Sequence, residues 1–256
     1  MNSIRSSKLG GLALCLVLAL ALTGTAVAFD DSAQGLQAEY QVGSDAAVTY
    51  TLSDPFTNVS NQYTLEGETQ LTNVSWTVEV YRAGSQISEN TYGGQNFSQA
   101  LDVNNNGDEV RVTLEGTTPA IENYTYEPEE QFLVANLTRV SGNNPTTFRT
   151  DRAHHYTQDS KNTRQAIQSA EQAIEDAGGH QEAESTLANA VSAYENDNFG
   201  LAQDLASEAQ TKAEQAKNSA QQTQLILLVV GAVVVIGLLA GGFLYWRSQQ
   251  DEYSKL

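Results

Sequence analysis

Val74-Ser75-Trp76-Thr77-Val78-Glu79-Val80 alternates apolar and polar residues without a break. Successive side chains of a strand point to opposite faces, so this stretch has one face to bury and one for solvent. Three other segments repeat the pattern. Val48, Tyr50 and Leu52 alternate with Thr49 and Thr51; Val110, Val112 and Leu114 with Arg111, Thr113 and Glu115; Leu133, Ala135 and Leu137 with Val134, Asn136 and Thr138. Weaker runs over 36–42, 63–71 and 97–103 bring the count to about seven strands, enough for an immunoglobulin-like sandwich over residues 29–142. Trp76 belongs in its core rather than stacked on a ligand.

Beyond Asn143-Asn144-Pro145 the period changes. Residues 143–158 read as a linker, and 159–222 as a small helical hairpin or bundle serving as a stalk. Ala166, Ile167, Ala170, Ala173, Ile174 and Ala177 recur at steps of three and four and stop at Gly178-Gly179. Ala183, Leu187, Ala190, Val191 and Tyr194 mark a second helix. Asn198 is placed to cap a third, with Ala202, Leu205, Ala206, Ala209, Ala213 and Ala216 on its apolar face. Ala190, Tyr194, the turn Asn198-Phe199-Gly200, Ala202, Ala206 and Ala209 resemble a degenerate tetratricopeptide-type helical hairpin at about residues 181–215. No second copy follows at a fixed spacing, so a stalk is expected rather than a peptide-binding array.

The two ends are apolar. Arg5 and Lys8 precede the run Leu9–Leu22, and Ala26-Val27-Ala28 offers a small-x-small cleavage site, so residues 1–28 read as a signal peptide. Leu225–Trp246 carries no charge; at about 1.5 Å per residue it is long enough for a bilayer core of roughly 30 Å. The sequence therefore predicts a transmembrane helix at 223–246 and a cytoplasmic tail at 247–256. That makes the chain an integral, single-pass protein of the cell membrane with its N-terminal ectodomain outside. The fold class expected is α+β in several parts: an all-β sandwich, a helical bundle and one transmembrane helix.

Acidic residues number 31 and basic residues 13, for a net charge of −18. Such a surface repels nucleic acid and acidic headgroups, which excludes both as partners. The sole cysteine, Cys15, lies in the signal segment, so the remainder forms no disulfide. Acidic residues spread from Asp30 to Glu252, with only five lysines, suit hydration in concentrated salt. In composition and layout the chain resembles membrane-anchored surface glycoproteins of extremely halophilic archaea.

Five N-x-S/T sequons, at Asn58, Asn73, Asn96, Asn123 and Asn136, fall in the β-like region, which predicts glycosylation there. Asp102, Asn104, Asn106 and Asp108 place oxygen ligands at alternate positions around Gly107, as a calcium loop does. Thr113 stands where such a loop needs its bidentate Glu, and Asn106-Gly107 is a favoured hairpin turn, so a turn is expected and no metal. His154, His155 and His180 lack partners at ligand spacing and read as solvated or capping residues. No nucleophile elbow, zinc-protease helix, phosphate loop or dinucleotide fingerprint is present, so neither catalysis nor a cofactor is expected. The reading is a surface glycoprotein acting as a structural or interaction module, with a protein partner at the surface or in the membrane. The alternative is an accessory subunit of a membrane complex such as an exporter, and an extracytoplasmic enzyme ranks third.

Overall fold

A computed structural model describes residues 30–57, 59–104 and 107–219. Two five-stranded sheets face each other. The first runs in the order β1 (Asp30–Gln34), β3 (Asp45–Ser53), β8 (Glu109–Thr117), β5 (Thr72–Arg82) and β6 (Ser85–Gly93). The second runs β2 (Glu39–Gln41), β10 (Asn144–Tyr156), β9 (Gln131–Ser141), β4 (Gln62–Glu68) and β7 (Asn96–Asp102). Every neighbouring pair is antiparallel except β2 and β10, which run parallel.

The alternating residues fill the space between the sheets. Trp76, Tyr50, Leu52 and Leu114 from one side meet Leu65, Leu101 and Leu137 from the other, all essentially inaccessible. The Trp76 ring lies 4.9 Å from that of Phe97, and its indole N–H donates to the Gly94 carbonyl at 3.1 Å. That hydrogen bond satisfies the one polar atom of a buried indole. Gly67 makes room for the pair: a Cβ there would stand 2.2 Å from the Phe97 ring.

Several expectations need correction. Among the described residues there are ten strands, nine of them within the span where about seven were expected, and the seven-strand immunoglobulin-like arrangement does not hold. Residues 144–156, expected as linker, form β10, the longest strand. Its inward stripe reads Arg149, Asp151, Ala153 and His155, so the period of two is present but carried by ionisable side chains. β6 escaped notice for the opposite reason. It holds a ladder to β5, and apart from Tyr92, which packs on Phe97, its side chains are exposed on both faces, so no apolar alternation was required of it. In β9 the register to β10 jumps between Asp151↔Ala135 and Arg152↔Leu133, leaving Val134 as an extra residue. This bulge turns the strand over, and Phe132 rather than Leu133 joins the sandwich core. The buried Thr69 hydroxyl donates to the Val134 carbonyl at 2.6 Å there and accepts from the Leu71 amide at 3.1 Å.

The transmembrane expectation is also corrected. Among the described residues no helix is long and apolar enough to cross a membrane. The helices present alternate charged and small residues; α1 alone (Gln158–Asp176) carries Asp159, Lys161, Arg164, Glu171, Glu175 and Asp176. The segments 1–28, 223–246 and 247–256 lie outside the described residues. The expected transmembrane helix, the membrane as partner and the single-pass placement in the cell membrane accordingly find no support among the described residues.

α1, α2 (Gln181–Glu195) and α3 (199–219) form an up-down-up bundle. Gln203 reaches Thr163 at 2.9 Å and Lys217 reaches Asp176 at 3.3 Å, which sets α3 parallel to α1. Lys212 lies 3.2 Å from Glu182 and 3.0 Å from the Thr186 hydroxyl, which sets α3 antiparallel to α2. Ala202, Ala206, Ala209 and Ala213 are fully buried in α3, and small side chains at that seam let the helices approach closely. Thr157 starts α1 with a capping box shared with Ser160, one residue after β10 ends. Gly178 and Gly179, both at positive φ, end it.

Candidate functional site

The residues singled out in the sequence are scattered. Asn73, Asn96 and Asn123 are exposed, whereas Asn136 is half-buried and accepts a hydrogen bond from the Thr150 hydroxyl at 2.9 Å. Asn58 and Asn106 lie outside the described residues. Asp102 closes a local turn, its Oδ1 accepting from the Asn104 amide at 2.8 Å, while the Asp108 carboxylate accepts from the Ala83 amide at 3.0 Å. These two carboxylates thus serve different backbone turns. Among the described residues no group of three or more His, Cys, Asp or Glu could hold a metal ion. His180 caps α2, its Nδ1 accepting from the Ala183 amide at 3.3 Å.

The structure assembles what the sequence did not show: a clamp between sandwich and bundle. Loop 118–130, between β8 and β9, carries Tyr124 and Tyr126 into the helices. The Tyr124 ring meets Phe199 at 4.8 Å, and Tyr126 meets Tyr194 at 5.9 Å. Arg164 of α1 then fastens the loop. Its Nη2 donates to the Tyr126 carbonyl at 2.6 Å and the Thr125 carbonyl at 3.1 Å, and its Nη1 lies 3.3 Å from Glu129. The guanidinium also covers the Tyr126 ring at 4.6 Å. A planar, multi-donor cation is suited to such a junction.

Beside the clamp, His154 and His155 point apart, as adjacent strand residues must. Nδ1 of His154 contacts the Glu130 carbonyl at 2.9 Å; Nδ1 of the buried His155 donates to the Pro119 carbonyl at 3.1 Å. Nε2 of His155 faces Glu130 at 3.9 Å, and Oε2 of that carboxylate is buried without a hydrogen-bond partner. Burial pushes the His155 pKa down, against the Pro119 hydrogen bond and the Glu130 charge, which raise it. The folded state therefore favours neutral imidazole. Its contribution is present above about pH 6.5, the unfolded value, and is lost as the pH falls through the lowered folded pKa. His155→Gln should flatten the fall in Tm between about pH 7 and pH 5 relative to the unaltered chain. Parallel curves would contradict this assignment.

The bundle's outer face carries an open cleft between α1 and α2, of about 440 Å³. Ile174, Leu187, Ala188 and Val191 line its floor, and Glu171, Glu175 and Glu184 its rim. Leu187, Ala188 and Val191 follow Glu184 at helical steps, so a single stripe of α2 supplies one wall. Burial raises the Glu171 pKa; a hydrogen bond from Tyr126 opposes this and the nearby Glu127 charge adds to it. The sequence reading assigned Ile174 and Leu187 simply to core faces. The signal that could have found the cleft was that α2 carries apolar residues on two stripes, where a three-helix bundle buries one.

No family model matches the chain, and no curated protein matches it. Among solved structures it is similar to the sporulation control protein Spo0M from Bacillus subtilis, at 12% identity and TM-score 0.32 over 56% of each chain. It is also similar to the alkylpurine DNA glycosylase AlkC of Pseudomonas fluorescens, at 10% identity and TM-score 0.24 over 50% of this chain and 30% of that one. A third is the CARDB domain of the PF1109 protein from Pyrococcus furiosus, at 14% identity and TM-score 0.20 over 50% and 89%. The chain spans about half the length of Spo0M. At these scores the likenesses carry no argument, and function has to be read from the residues of this chain.

Proposed function

We propose that the protein is a structural and interaction module that works by contact rather than turnover. The observation that supports this is the clamp: Arg164, Tyr124 and Tyr126 lock the sandwich to the bundle, so that the sandwich backs a rigid helical face with an open apolar cleft. A preorganised concave surface loses little entropy on binding. A contiguous apolar patch rimmed by charge is a common mark of an interaction site.

A photo-crosslinking residue at Ala188 in the native host should give an adduct of discrete mass. The same residue at Ser207, exposed on α3, should give none. Absence of any adduct from Ala188 and from its cleft neighbour Leu187 would overturn this reading.

A further inference from the structure

We propose that the cleft receives a basic amphipathic helix of a partner protein, seated as the missing fourth helix of the bundle. This deepens the interaction reading and rests on it. The shape comes first. α1 and α2 are antiparallel, so the space between them is a trough of the kind a helix fills by setting its ridges into the groove. The trough is lined by side chains of two helices whose backbone groups are bonded within those helices. An extended peptide laid there would find no ladder for its own N–H and C=O groups, whereas a helix satisfies them internally. Helix in groove is therefore the occupant that buries apolar surface without stranding backbone.

Charge then chooses among helices. The described part of the bundle holds four cations, Lys161, Arg164, Lys212 and Lys217. Lys161 pairs with Glu39, Arg164 with Glu129, Lys212 with Glu182 and Glu208, and Lys217 with Asp176. Among the described residues none lies within ion-pair distance of Glu171, Glu175 or Glu184. Glu171 is engaged by Tyr126 and the nearby Arg164 charge, so Glu175 and Glu184 are the rim carboxylates left facing the trough, and Lys or Arg on the flanks of an incoming helix would meet them. The same rim disfavours a second copy of this chain seated face to face, since that would oppose carboxylates to carboxylates. Leu187 and Val191, one turn apart, call for apolar residues at i, i+3, i+4 and i+7 on the occupant.

The test uses the full chain and three synthetic helices of ~18 residues, a length that can hold helical structure. One carries Leu and Ala on one stripe with Lys on both flanks; the second is its scrambled order; the third replaces Lys by Glu. Isothermal titration should show binding by the first, weaker by at least about tenfold for the other two, where each tenfold is about 1.4 kcal/mol. The paired variant Glu175→Gln and Glu184→Gln should lose about tenfold and most of the salt dependence, because exposed charge pairs act through screened attraction. Ala188→Trp should fill the trough and abolish binding, with far-UV circular dichroism and Tm checked to show that the bundle still folds. Equal binding of the scrambled peptide, or unchanged affinity in the Ala188→Trp chain, would overturn the proposal. So would a concentration-dependent dimer in sedimentation that Ala188→Trp abolishes, since a second copy would then be the occupant. A crosslinked adduct at Ala188 that the basic helix fails to displace would leave the interaction module standing and remove this occupant. Specific peptide binding without any host adduct would do the reverse.

Discussion

Trp76→Ala should lower the unfolding free energy by about 3–5 kcal/mol, the usual cost of emptying a large buried aromatic site. The indole is wholly inaccessible, touches Phe97 at 4.9 Å and sits opposite β4, where Gly67 leaves no side chain able to move into the void. The Gly94 carbonyl would also lose its donor. Trp76→Phe, which keeps most of the volume, should cost clearly less. Urea unfolding of the full chain, followed by circular dichroism, checks both. A loss below about 1 kcal/mol for the alanine variant would mean that the two sheets are not packed around this residue. Because loop 118–130 is shared between sandwich and bundle, the strand and helix signals should fall in one transition.

Asp151→Ala should cost about 3 kcal/mol, for a different reason: it breaks a partly buried charge group rather than opening a void. Arg149 donates from Nε to Asp151 at 2.8 Å and from Nη1 to Asp31 at 2.9 Å, joining β10 of one sheet to β1 of the other. Removing Asp151 leaves the guanidinium with only half its compensation. The buried Tyr50 hydroxyl lies in the same group; burial and the Asp151 charge both raise its pKa, so it remains neutral. Replacing Arg149 by Met and Asp151 by Leu together should recover much of the loss, because matched apolar residues carry no desolvation penalty. If the single variant melts like the unaltered chain, the charge group contributes nothing to joining the sheets.

What the sequence disclosed follows from what a strand or helix must bury. β3, β5 and β8 have apolar inner stripes and were legible as such. β10 was not, because Arg149, Asp151 and His155 occupy its inner positions and make each other's burial tolerable through partners far away in the chain. β6 was not legible because it buries only Tyr92, and that in part; β9 was read correctly at Ala135 and Leu137 but misread at Leu133, where one inserted residue reverses the facing. The three helices were legible from spacing, and Asn198 does cap α3, its Oδ1 accepting from the Leu201 amide at 3.3 Å. The cleft was hidden for a related reason. Periodicity reports that Ile174, Leu187 and Val191 are apolar, but only the packing of α1 against α2 shows that Leu187 and Val191 stay half-exposed at the cleft while Ile174 beneath them is buried.

The parallel pairing of β2 with β10 has a mechanical consequence. The Val42 amide donates to the Tyr156 carbonyl at 2.8 Å and the His154 amide to the Ala38 carbonyl at 3.1 Å, so the two strands are bonded along their shared length. Tension applied between the segment before β2 and the helix after β10 would pull these strands in opposite directions along their own axes. The bonds would then be loaded together in shear instead of opening one at a time like a zip, and the sandwich would yield to force at β2 and β10 as one unit.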